Sequence, residues 1–352
     1  MDDAEVVERL PAAGRAAADA RRARRQLAQQ PGDAALAVRL AREGLERSRR
    51  SGDPRHAGLA LAALRHWSDP ASAPPEVLLL QATLDQHLHD FDAAAAKLEL
   101  LLRRQPRDAQ GWLTLASVRR VQGRYAESDA ACRGVAAAGA NLHAAACSAE
   151  NAGLRGRFEP ARRTLQALLA NPRLDAATRS WLLTTQAELE QRAGAPAAAE
   201  ARWRAAVQAD DDPYAGVAFA DFLLAQGRSS EALRLLQTQP DSDAVLLRRA
   251  IAGDATAVST LRERIAQSAL RPGTALTHGR EQAMFALQVE HDARRAVGLA
   301  RQNLQRQREP VDLGLLAAAA RAAGDTKALD EALRMASAQG LVDVRLFSKD
   351  PT

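Results

Sequence analysis

Lysine is almost missing from this chain. Of its 48 basic residues only Lys97, Lys327 and Lys349 are lysine and the other 45 are arginine, which we read as the coding bias of a GC-rich bacterium and not as a binding signature. Aromatic residues are scarce at 3%, and the net charge of +5 is mild for 352 residues and interspersed along them. A nucleic-acid groove gathers basic residues on one face and interleaves them with stacking rings, so no nucleic-acid partner is expected. The densest basic run is Arg21, Arg22, Arg24 and Arg25. It has two readings, a solvated helix face or a docking site for an anionic partner. No apolar run is long enough to cross a bilayer, which excludes a direct membrane span by helix.

Catalytic signatures are also missing. The chain has no glycine-rich phosphate loop, no G-x-S-x-G elbow and no H-E-x-x-H pair. No catalytic residue, cofactor or metal set is therefore expected, and the chain is not read as an enzyme. His87 and His89 flank Leu88 ahead of Asp90, but residues two apart on a helix point about 200° apart. A solvated turn is expected there, and at His291-Asp292 for the same reason. Cys132 and Cys147 are the only cysteines. Their spacing is not that of a C-x-x-C metal pair. They read as two small buried side chains or as a disulfide, which would argue for an oxidising compartment.

What is present is a repeated helical hairpin. In the stretch 109–142, Trp112, Leu115 and Ala116 follow i, i+3, i+4 spacing and put one apolar stripe on a helix. Gly123 follows where a residue of positive φ would stop that helix. Tyr125 opens a second helix and is expected to fold back on Trp112. Such a hairpin cannot bury both faces alone and needs copies on either side. Gly123-Arg124-Tyr125 recurs as Gly156-Arg157-Phe158 and as Gly227-Arg228-Ser229, at spacings of 33 and 71 residues, close to one and two repeats of about 34. His89-Asp90-Phe91 and Gly194-Ala195-Pro196 fill the same turn. Three residues beyond the aromatic position comes a small residue, Ala94, Ser128, Ala161 or Ala199, which lets two helices approach closely.

Carried by Trp112, Leu115, Ala116, Gly123 and Tyr125, this unit resembles a tetratricopeptide repeat. The resemblance implies an all-α, right-handed superhelical solenoid of eight to nine TPR-like hairpins. Residues 1–33 are expected to form an N-terminal helical cap, helical over 3–29 with a break near Pro11 and an apolar stripe of Val6, Val7 and Leu10. Residues 34–240 hold the regular repeats, with units starting near Pro75, Ala109, Leu142, Ser180 and Pro213. Residues 241–352 hold degenerate repeats turning at Gly253 and Gly324, and an irregular C-terminal cap.

In this repeat family the first helix of each unit lines a concave groove. The matching positions here are Thr83, Gln86 and His87, then Leu113, Ser117 and Arg120, then Ala146 and Glu150. Trp181, Thr184, Glu188 and Gln191 continue the row, and Tyr214, Val217 and Asp221 end it. Glu150, Glu188 and Asp221 share one position in three successive units. They form either a solvated face or a carboxylate ladder suited to a basic segment. Reversing the charge of Glu150 and Glu188 is then expected to abolish binding with helicity intact. The family's chaperone-tail clamp uses lysine and asparagine where this chain has Leu113, Ser117, Ala146 and Glu150, so that activity is not implied. The expected function is a non-enzymatic scaffold for protein-protein interaction that holds a protein or peptide ligand. The alternative is a helical accessory subunit of a catalytic or secretion assembly whose chemistry lies on a partner. Met1-Asp2-Asp3 reads as an initiator placed on a trimmed mature end, which gives the expectation of a periplasmic or envelope location, with the cytoplasm as the alternative.

Overall fold

The computed structural model describes residues 15–269 and 279–347. These form twenty α-helices and one 3-10 turn, with no strand among the described residues. Helix α1 (Arg15–Gln29) precedes nine hairpins. They are α2 (Ala34–Ser51) with α3 (Pro54–Leu64), α4 (Pro75–His87) with α5 (Phe91–Arg104), and α6 (Ala109–Val121) with α7 (Tyr125–Ala137). Next come α8 (Asn141–Leu154) with α9 (Phe158–Leu169), α10 (Ala176–Arg192) with α11 (Pro196–Ala209), and α12 (Pro213–Ala225) with α13 (Ser229–Leu236). The last three are α14 (Asp243–Ile251) with α15 (Ala255–Ala269), α16 (Gly279–Gln288) with α17 (Ala293–Asn303), and α18 (Pro310–Ala323) with α19 (Thr326–Gln339), followed by α20 (Val344–Phe347). The expected stripe at Val6, Val7 and Leu10, the break near Pro11 and the end of the tail lie outside the described residues.

Local chemistry sets each hairpin. All nine turns contain a residue with positive φ: Gly52, His89, Gly123, Gly156, Gly194, Gly227, Gly253, His291 and Gly324. Backbone in this region cannot continue a right-handed helix. Aspartates cap first and second helices alike, as Asp108 and Asp175, Asp90 and Asp325 do by accepting from the backbone N–H of Gly111 and Thr178, Ala93 and Ala328. Ala94, Ser128, Ala161 and Ala199 are all at most 1% exposed, so the small-residue position is where the two helices of each hairpin meet. Ser128 keeps its hydroxyl satisfied by donating to the Ala116 carbonyl at 2.8 Å.

First helices touch first helices of the next unit continuously from α2 to α18. They form the inner layer of the coil, and the second helices form the outer one. Cys132 on α7 and Cys147 on α8 are joined in a disulfide, with Cα atoms 5.7 Å apart.

The coil turns back on itself. Gly52, in the first turn, lies against Ser242 just before α14. The Gln307 amide donates to His89 Nδ1 at 2.6 Å, and the Arg308 N–H donates to the Val121 carbonyl at 2.7 Å. At Gly123 an added Cβ would fall 2.5 Å from the Gln339 amide. At Gly156 it would fall 3.0 Å from Val342, whose own N–H donates to the Leu154 carbonyl at 2.9 Å. These two glycines answer a left-handed turn and a close approach at once.

Closure corrects two expectations. Tyr125 does not fold back on Trp112. It is buried in a cluster with Leu154, Leu341 and Leu346, where the C-terminal segment meets the middle units. The half-buried Trp112 instead lies over Gly134 of α7, donating from its indole N–H to the Pro106 carbonyl at 2.9 Å. Nor are His87 and His89 a solvated turn. His87 Nε2 sits 3.0 Å from the Ser48 hydroxyl, and His89 takes the bond from Gln307. His291 is exposed.

Candidate binding groove

The inner layer is tied together by polar bonds between successive first helices. Ser48 on α2 meets His87 on α4. Gln86 on α4 donates to Ser117 on α6 at 3.3 Å. Arg120 on α6 pairs with Glu150 on α8 at 2.9 Å and also donates to Asn151. Tyr214 on α12 donates its hydroxyl proton to Glu188 on α10 at 2.6 Å. Asp221 on α12 accepts from Arg248 on α14 in a fork of 2.8 and 2.7 Å. Arg280 on α16 reaches Asp312 on α18 at 2.7 Å. At six of the eight steps a polar side-chain bond spans the gap between units, a use the spacing alone does not disclose.

Of the expected groove residues, Gln86, Ser117, Arg120, Glu150, Glu188, Tyr214 and Asp221 lie in this row. Thr83 turns its hydroxyl back to the Leu79 carbonyl at 2.8 Å. Trp181 is half-buried and stacks on His143 of α8, with ring centres 5.8 Å apart. Thr184 is buried, and so is Ala146; neither presents a surface to the groove.

The carboxylates do not stand as an unpaired ladder. Arg120 holds Glu150, Arg248 holds Asp221, and Glu188 has the Tyr214 hydroxyl and, at 3.7 Å, Arg192. Repulsion along the ladder is thus offset inside the chain. Burial pushes the Glu150 carboxyl above its usual range, with Arg120 opposing. Charge reversal at Glu150 would place a second cation against Arg120 in a partly buried site and cost stability, so Glu150 is a poor position for a binding test. Arg192 and Arg248, both buried, and Asn151 escaped the sequence reading. Arg248 and Asn151 sit on the next first helix, about one repeat from the group they serve, and Arg192 lies one turn beyond Glu188 on the same helix.

Tyr214 differs from its neighbours. It is 59% exposed, yet Glu188, Glu309 and Arg280 all act on its hydroxyl, and the Glu188 charge pushes it well above the usual tyrosine range. Those groups come from α10, from the start of α18 and from α16. The exposed ring therefore faces the interior of the coil and not its outer surface.

His87 makes the inner row sensitive to acid. Burial, with repulsion from Arg49 and His89, holds its imidazole down at about 4 against an ordinary value of 6.5. The folded protein thus binds this proton less tightly than the unfolded chain does. Stability is complete above pH 6.5 and falls as the pH drops from there to about 4. The thermal midpoint is expected to fall over that window in the native sequence and to fall less in His87→Gln. Equal falls in both proteins would assign the acid sensitivity to other groups.

No protein-family model and no curated protein sequence matches the chain. Among solved structures, the chain is similar to pilF of Pseudomonas aeruginosa at 17% identity over 59% of this chain and 96% of that one, with a TM-score of 0.38. A human IFIT1 dimer with PPP-AAAA gives 16% identity over 81% and 69% of the two chains, with a TM-score of 0.44. A tetratricopeptide repeat protein of Parabacteroides merdae gives 15% identity over 75% and 98%, with a TM-score of 0.37. The nine left-handed turns and the continuous inner layer settle the architecture without them. The chain is a tetratricopeptide-like helical solenoid. In this solenoid the inner row is bonded from unit to unit, and the C-terminal units lie against the turns of the first five.

Proposed function

We propose that this solenoid is a non-enzymatic scaffold that binds a protein or peptide segment along the inner face of its coil. The observation that carries the reading is Tyr214. It leaves a large ring in solvent beside Glu188, inside a coil whose other inner side chains are occupied with each other. An aromatic face flanked by Glu188 and Glu309 suits a basic side chain, which gains both ring contact and charge attraction. The ligand is thus a segment that carries at least one lysine or arginine. Thr83, Gln86, Ser117, Arg120, Trp181 and Asp221 stay part of the proposed surface as its walls, and the buried Thr184 does not. The disulfide between Cys132 and Cys147 supports a periplasmic or other envelope location.

The test is capture of the partner from the native host, followed by affinity measurements on variants. Tyr214→Ala with Glu188→Gln is expected to weaken binding by about tenfold or more with the circular dichroism unchanged. Unchanged affinity would move the binding surface to the outer helices.

A further inference from the structure

A second feature lies outside the inner face, where α1 crosses the first hairpin. Helices α2 and α3 approach tightly at Gly44, where an added Cβ would fall 2.9 Å from the His56 carbonyl and 3.0 Å from the Ala60 Cβ. Helix α1 lines the space beside this pair with Ala20, Leu27 and Ala28, and with Arg24. Small residues on α1 and a close pair beneath it leave a cavity of about 190 Å³. Its walls are Leu27, Leu40, Leu59, Ala62 and Ala63. Leu59, although part of a wall, is still 43% exposed, so the cavity is open to solvent.

Protein interiors hold few voids larger than a water molecule. A dry apolar cavity of about 150 Å³ holds a benzene-sized guest. The space here accepts one aromatic ring or a medium-length acyl chain. Its rim carries charge of one dominant sign. Arg24, Arg47 and Arg65 line it against a single carboxylate, Glu43, which Arg47 meets only at 4.0 Å. Arg24 and Arg65 have no ion-pair partner among the described residues. The Nδ1 of His56 is buried at the same site without a hydrogen-bond partner. An apolar slot, a cationic rim and an unsatisfied ring nitrogen together describe a ligand with an apolar body and an anionic end.

We propose that the cavity between α1 and the α2–α3 hairpin is a binding site for a small apolar carboxylate, aromatic or medium-chain, with its body in the leucine and alanine slot and its carboxylate at Arg24 and Arg47. One face of the run Arg21–Arg25 thus serves an anion, and the remaining arginines are solvated. The site is independent of Tyr214 and Glu188, so the failure of either proposal leaves the other standing.

Calorimetric titration of the full chain with octanoate and with 4-phenylbutyrate tests it. Saturable one-to-one binding with a dissociation constant below about 1 mM is expected. Arg24→Gln with Arg47→Gln, on the rim where folding is not at stake, should weaken octanoate by about tenfold or more and leave 1-octanol unchanged. Ala62→Trp, which fills the slot, should abolish binding of both carboxylates, while Tyr214→Ala should leave it intact. Absence of saturable binding to the native sequence overturns the proposal. So does octanoate affinity that is equal in the double arginine variant. A dimer that Ala62→Trp dissociates, with no binding of either probe, also overturns it and assigns the slot to a second copy of the chain.

Discussion

Replacing Trp203 by alanine is expected to lower stability by about 3–5 kcal/mol, the usual cost of emptying a large aromatic site in a core. Trp203, on α11, is 1% exposed and packs with Ala187, Phe219, Leu223 and Leu236 across two hairpins. Its indole N–H donates to Gln191 at 3.0 Å, so truncation also strands a polar partner. Trp112, the residue that announces the repeat in the sequence, is the weaker position. It is half-buried, and Gly134 beneath it supplies backbone and no side chain to lose. Urea unfolding followed by circular dichroism should therefore show the larger shift for Trp203→Ala. A loss below about 1 kcal/mol would contradict its place in the core.

Breaking the link between Cys132 and Cys147 should cost about 3 kcal/mol, the chain-entropy value for a closed loop of fifteen residues. The bond joins the second helix of one hairpin to the first helix of the next, and both cysteines are 1% exposed. Cys132→Ala with Cys147→Ala should lower the thermal midpoint to that of the reduced native chain. A reductant should then have no further effect on the variant. Identical midpoints for the oxidised native chain and the variant would show that the pair contributes nothing to stability.

The turns were legible because their chemistry is local. A glycine or histidine at the left-handed position marks each hairpin, and at five of the nine turns an aspartate follows it directly. That is why His89, Gly194, His291 and Gly324 could be placed by pattern. Helix α10 begins at Ala176, earlier than the expected start at Ser180, because Asp175 caps it by accepting from the Thr178 N–H at 2.7 Å. The fate of the inner carboxylates was not legible. Glu150 and Asp221 look like a ladder along one row, and only packing reveals that Arg120 and Arg248 reach across to them from neighbouring helices. Tyr125 was misplaced for the same reason. Its partners Leu341 and Leu346 lie more than two hundred residues away, and no local pattern encodes that distance.

The return of the coil onto its own first turns changes how the chain can be assembled. An array with nearest-neighbour contacts can nucleate anywhere and grow by local steps. Here His89 waits for Gln307, 218 residues later, and Gly123 for Gln339. Contacts so distant in sequence slow the final search, because loop closure must come before they reward it. During synthesis the early hairpins are complete while the carbonyls of Val121 and Leu154 still face water. They exchange that water for Arg308 and Val342 only when the last hairpins arrive. The early turns and the last hairpins, far apart in the order of translation, thus enter the native state together.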